Sequence, residues 1–261
     1  MDSALDVGAT RECGRKLIFL LGLSALPVGV RFVTEAEERI VGDSPEKLRH
    51  HRYCQALMKA RRGLNVTLDG EELSCPAAAA TFGFRPLPEG LQSGRALVGA
   101  GIVSDEKVGQ KMLQNTPKLE PGSVSKLHLF ALDKAEYVPD VVVVEDEAEK
   151  LMWIALAYLH ATGGQRVMSA TSVLQAACGD ATVVPYIEKR LNFGLGCYGC
   201  RDATDIGPNE TVLGFPADVL LPIVSHLEFL AGKAIPTSRS KRALKALRTG
   251  GGAGTEGSAG A

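Results

Sequence analysis

The sequence is poor in aromatic residues, which make up 5% of its 261 positions with a single tryptophan, and it carries almost no net charge. Its 29 basic and 30 acidic side chains leave a balance of -1. No overall field therefore gathers nucleic acid, and the few rings are not interleaved with Lys and Arg as stacking platforms require. A Walker loop, a Gly-x-Ser-x-Gly elbow and a His-Glu-x-x-His pair are all missing. Their absence disfavours the common phosphate-binding, serine-hydrolase and zinc-protease classes, and no nucleotide is expected. Apolar runs long enough to span a bilayer are lacking too. The stretch "RKLIFLLGLSALPVGVRF" is interrupted by Pro27, followed at once by Arg31 and without an Ala-x-Ala cleavage pattern. It reads as a short buried helix and the strand "VGVRFV" rather than as a signal peptide. Neither nucleic acid nor membrane is an expected partner, and the cytoplasm is the expected location.

What is present is an ordinary globular composition, 45% hydrophobic and 23% charged, able to bury a sizeable core. Residues 1–10 read as a loose leader, 11–249 as a single domain, and the Gly-rich tail 250–261 as disordered. Within the domain, "GDSPEKLRHHRYCQALMKARRG" predicts one long helix with Ser44 as N-cap, Pro45 at the first helical position and Gly63 as C-cap. "LNVTLDG", "RALVGAGIV", "VSKLHLFAL", "PDVVVVED" and "TVLGF" read as strands. "PAAAATF", a polar segment from near Ser104, "DEAEKLMWIALAYLHATGG" and "PADVLLPIVSHLEFLAG" read as helices. The expected class is α/β or α+β, a mixed sheet flanked by helices, with the topology left open. The basic segment "SRSKRALKALR" reads as a solvated terminal helix.

Six cysteines stand out: Cys13, Cys54, Cys75, Cys178, Cys197 and Cys200. A chain of this size with a full core does not need disulfides, and reduced thiols are expected. Cys197 and Cys200 form a Cys-x-x-Cys in "GLGCYGCRDATD", whose two-residue spacer can turn both thiolates toward one metal centre. Gly194, Gly196 and Gly199 let the backbone approach the sulfurs and aim N–H groups at them. "RDATDIGPNE" reads as loop, which argues against a thioredoxin-like dithiol, because there a helix follows the first cysteine. Cys178 falls at an apparent helix end and Cys75 at a helix N-terminus. Cys54 lies within a helix, where a small buried hydrophobe is the plainer reading. Cys13 is given no role.

Other polar candidates read as scaffold. His50 and His51 sit on the predicted helix with a solvated face, and His226 and Glu228 near the end of an apolar helix. Asp202 and Asp205 organise the loop after the cysteines, and Arg61, Arg62 and Arg201 form an anion clamp only if the fold unites them.

In order, "LPVGVRF", "CQALMKARRG", "SCPAAAATFGF", "PDVVVV", "QAACGD" and "LGCYGCRDATD" resemble the domain of unknown function 169 family over about residues 17–230. The resemblance implies a cytoplasmic setting, typically in anaerobes, and family positions for Cys54, Cys75, Cys178, Cys197, Cys200 and Arg201. It brings no reaction with it.

The leading expectation is a redox or accessory protein holding an iron–sulfur cluster, with zinc or no metal as alternatives. Its ligands are Cys197 and Cys200 plus two of Cys75, Cys178 and Cys54, with a redox or protein partner. The rival is a metal-free module binding a small anion through Gly196, Gly199 and Arg201. A thiol enzyme using Cys75 or Cys197 ranks last, since no His or Asp partner is legible, and whether the chain is an enzyme stays open.

Overall fold

The computed structural model describes residues 5–38 and 45–248. The expected tail 250–261 and the Ser44 cap lie outside them. Seven strands form one sheet: β1 Val28–Val33, β2 Glu46–Lys47, β3 Val66–Asp69, β4 Lys126–Ala131, β5 Val141–Glu147, β6 Asn192–Gly194 and β7 Glu210–Pro216. Their order across the sheet is β2-β3-β4-β1-β5-β7-β6. All neighbours pair antiparallel except β2 and β3, so the sheet is mixed, and with its flanking helices the chain is of the α/β class.

Strand alternation sorts the core into two halves, because successive side chains point to opposite faces. On β5, Val141 and Val143 enter one half while Val142 and Val144 enter the other. On β7, Val212 joins the first half, and Leu213 and Phe215 the second. The second half is covered by three long helices, Val7–Leu21, Ala148–Ala161 and Leu220–Ala231. The first of these buries Thr10, Cys13, Gly14, Leu17 and Leu21, a three-and-four spacing that places one stripe on the sheet. Asp6 starts it by accepting the Ala9 N–H at 2.7 Å. Helix thus occupies residues 7–10 of the expected loose leader. None of the described helices is by itself long and apolar enough to cross a membrane.

The first half is built from shorter pieces, and here sequence expectations need correction. The long helix expected from Ser44 to Gly63 is only Tyr53–Ala60. Before it, Glu46 and Lys47 pair in parallel with Val66 and Thr67, His50 adopts φ 53°, and Arg52 is extended with its N–H donating to Gln55 Oε1 at 3.0 Å. Edge pairing with β3 takes the backbone groups that a Ser-Pro start would have committed to a helix, so His50 and His51 are not helical. "RALVGAGIV" is no strand; it contains the short helix Arg95–Gly99, with Leu97 its one buried residue. The short strands β2 and β6 carry no alternation long enough to read, and went unforeseen.

Candidate functional site: a cavity lined by cysteines

Four separate segments bring Cys54, Cys75, Cys178, Cys197 and Cys200 to the wall of one cavity of about 200 Å³ on the first face of the sheet. Cys54 comes from the first turn of helix Tyr53–Ala60, and Cys75 is the N-cap of helix Pro76–Thr81. Cys178 lies inside a π-helix, Ala176–Val183, not at a helix end. Wide turns of this kind often accompany functional positions. This one is held from both sides. Thr182 Oγ1 reaches Ala177 O at 2.7 Å and meets the Tyr53 hydroxyl at 2.7 Å, tying it to the Cys54 helix. Beneath it, Gly214 of β7 lies so close that a Cβ there would stand 1.7 Å from Ala181 O. Only glycine lets the sheet and the π-helix meet at this distance.

Cys197 and Cys200 sit at the end of β6, where Gly196 turns the chain with φ 78°. What reads as loop is a helix, Tyr198–Ala203, with Cys197 as its N-cap: Cys197 Sγ accepts the Cys200 N–H at 3.3 Å. The two sulfurs are 3.1 Å apart. The objection to a redox dithiol, that no helix follows the first cysteine, is thereby removed. Residues 194–199 satisfy Gly-x-Gly-x-x-Gly, so that nucleotide fingerprint is not absent from the sequence. The context is not that of a dinucleotide fold, because β6 and its successor β7 are antiparallel neighbours rather than a parallel βαβ unit.

The Tyr53–Ala60 helix grips this turn along its length. Arg52 Nη1 donates to Gly199 O at 3.1 Å and pairs with Asp202 at 3.2 Å, and Gln55 Nε2 reaches Ala203 O at 3.3 Å. At the far end Asp205 accepts from both Arg61 and Arg62, while buried Arg61 also pairs with Glu145 at 3.2 Å. Asp202 and Asp205 thus organise the segment, as expected. Arg201 donates to Leu195 O, to Gly207 O at 3.0 Å and to Glu210 O at 3.1 Å. It fastens the glycine turn, and its guanidinium is not shared with the Arg61–Arg62–Asp205 group.

Three of the five thiols, Cys178, Cys197 and Cys200, are raised above the ordinary thiol value. Cys197 is raised, first by its sulfur contact with Cys200 and then by burial. Cys200 is pushed up to about 12: its contact with Cys197 lowers it, but a hydrogen bond with the Cys54 thiol and burial outweigh that. Burial lifts Cys178 well above the ordinary thiol range, with Cys75, Cys200 and Cys197 adding to the effect. A largely apolar wall disfavours an anion, and a cation beside the sulfurs favours their thiolate forms. Among the described residues, no group of three or more His, Cys, Asp or Glu side chains closes on a single ion position. The sulfurs stand around a space.

Cys13 is apart from them, packed with Leu17 and Leu227 in the other half of the core, and burial raises it to about 11. His226 stacks on His160 with ring centroids 3.7 Å apart, and Glu228 pairs with Lys16 at 2.7 Å, both on the helical face away from the cysteines. Three groups beside the site carry no signal in the sequence. Asp180 is buried, and burial raises it to about 6 despite a bond from Thr171. Gln175, with φ 57°, spends its amide N–H groups on Ala77 O and Thr81 Oγ1, each at 2.7 Å, while its Oε1 is covered and meets no partner. Glu145 is raised to about 7 by burial against the pull of Arg61.

Comparison with known proteins gives a family and no activity. The chain is 32% identical over 227 residues to "Uncharacterized protein MJ0308" of Methanocaldococcus jannaschii, an alignment covering 86% of this chain and 96% of that protein. No solved structure matches. Residues 16–226 match the DUF169 family, described as "Uncharacterised ArCR, COG2043", and the chain belongs to that family.

Proposed function

We propose that the protein works in the reducing cytoplasm as a redox or accessory protein whose cysteine cavity holds a thiolate-bound centre, an iron–sulfur cluster in preference to zinc. Cys197 and Cys200 supply half of the ligands, and two of Cys54, Cys75 and Cys178 the rest. The observation that carries this is the gathering of five of the six cysteines, from four segments spread over the chain, around one cavity. A thiolate-only donor set favours soft centres, and sulfurs arranged around a space suit a polynuclear centre better than one tetrahedral ion. Protonated apolar-walled thiols also fit, since a cationic centre supplies the charge that draws their protons off.

The test is iron, sulfide and zinc per chain, with visible absorption, in protein purified anaerobically. Iron with sulfide and a brown colour are expected. Cys197→Ser and Cys200→Ser should each lose the centre, as should at least one of Cys75→Ser and Cys178→Ser, while Cys13→Ser retains it. Wild-type protein containing none of the three elements would overturn the reading.

One observation favours a second reading. The 3.1 Å approach of Cys197 to Cys200 suits a dithiol that closes to a disulfide. Each thiol would release a proton, and two electrons would reduce a small-molecule disulfide to two thiols. Differential alkylation after treatment with oxidised glutathione reports it: protection of Cys197 and Cys200 together supports the dithiol, and full alkylation of both excludes it.

A further inference from the structure

We infer that the aliphatic side of the cysteine cavity is a binding site for a small, uncharged, apolar molecule held against the thiols. The inference goes beyond the metal reading and does not rest on it. Three short helices, Glu89–Gln92, Arg95–Gly99 and Glu106–Gln114, pack chiefly on one another and form a cap over the cysteines. Their Leu91, Leu97 and Leu113, with Ile102 of the connection between the second and third, joined by Leu174 and by Ala77 of helix Pro76–Thr81, supply the rest of the cavity wall. Leu97 and Leu113 are buried, whereas Leu91 and Ile102 are only half-buried, so the cap turns apolar surface toward a space it does not itself fill.

The lining selects a class of ligand by what it cannot bind. Arg52 is its one charged side chain, and it is tied to Gly199 O and Asp202. The amide N–H groups of Gln175 are spent on Ala77 and Thr81, and its Oε1 is covered. A charged or strongly hydrogen-bonding molecule would lose its hydration here without replacement, at a cost of about 2–7 kcal/mol for each unpaired polar group. An apolar cavity of about 150 Å³ lined by Leu, Ile and Phe takes up benzene or xenon. The cavity here, about 200 Å³, is of that order, with polarizable sulfur along one side. An apolar guest would gain dispersion contacts with Leu91, Leu97, Ile102 and Leu113 that the unoccupied space cannot provide.

Benzene is the probe: iron, sulfide and zinc are first measured on anaerobically purified protein, any metal is then removed by chelation under reducing conditions, and binding to the metal-free, folded protein is followed by ligand-observed NMR. Saturable one-site binding is expected, displaced by xenon. Ala77→Leu, which projects two further branches into the space, should weaken it at least tenfold. Ile102→Gln, a half-buried cap position whose change leaves the fold intact, should weaken it severalfold, and Phe229→Ala on the distant helical surface should leave it unchanged. No saturable binding by wild type, or binding indifferent to both Ala77→Leu and Ile102→Gln, would overturn the inference. Saturable binding by protein that held no iron, sulfide or zinc before chelation would uphold the inference while the metal reading fails, and metal before chelation with no binding after it would do the reverse.

Discussion

The two faces of the sheet are made of different material. One is covered by three helices of 12 to 15 residues that bury leucine, isoleucine and tryptophan, and its lone thiol, Cys13, sits among them as another hydrophobe. The other is covered by short helices, a π-helix and capping turns, and it carries five thiols, a cavity, the Tyr53–Thr182 bond and the Arg61–Glu145 pair. Long regular helices pack densely and leave little room for chemistry. Short ones end often, and each end offers a place to aim a side chain at a common point: Cys75 and Cys197 are both N-caps, and Cys54 follows one. One face supplies stability that the other spends on an arrangement of thiols.

Truncating the packed face should cost most and reach the site least. Leu227→Ala, at a fully buried position, should lose about 3–5 kcal/mol in denaturant unfolding while the metal content of the folded fraction stays at the wild-type level. A parallel loss of metal would show that the faces are not independent. Gly214→Ala makes the opposite change. A methyl 1.7 Å from Ala181 O must push the π-helix off β7, so a loss of about 1–3 kcal/mol should come together with loss of whatever the cysteines bind. Retention of the centre would mean that Cys178 is not needed for it.

Asp205→Asn should sharpen the comparison at its edge. It weakens the tie between the Cys197–Cys200 segment and Arg61 and Arg62 at a half-exposed position, so about 1 kcal/mol of stability is expected, with metal retention reduced more than stability. Glu145 would remain as the partner of Arg61. An effect on stability alone would make the tie purely structural.

Alkaline pH should separate the faces by smaller increments. In metal-free, reduced protein the fold favours the protonated thiols, with Cys200 at about 12 and Cys13 at about 11 against an ordinary value of 9.0. Their contribution is fully present below pH 9 and is lost as pH rises through those folded values, because the unfolded chain ionises first. Cys13→Ala should flatten the decline between pH 9 and 11 in urea midpoints, and Cys200→Ala should flatten it from pH 9 to about 12. Metal-loaded protein should not show the Cys200 part, since ligating thiolates have already lost their protons. Phe229→Ser, at a side chain 70% exposed, should shift stability by no more than about 0.5 kcal/mol.

By itself the sequence determined most of the packed face and the main strands. "VGVRFV", "VVVVED" and "VLLPIVSHLEFLAG" carry runs of apolar residues long enough to fix element type, and the order of motifs fixed the family. It also showed which residues were chemically unusual, since five of the six cysteines singled out do meet. What it left open was where they meet and in what company. The edge pairing of β2 that shortens the Cys54 helix, the π-helix that turns Cys178 inward, and the helix that begins at Cys197 all depend on partners more than a hundred residues away or on a strand across the sheet. Short elements carry too little periodicity to announce themselves, and their form is set by tertiary contacts that outweigh local propensity. The cysteine cavity, with its thiols on one side and its leucines on the other, exists only once those contacts are made.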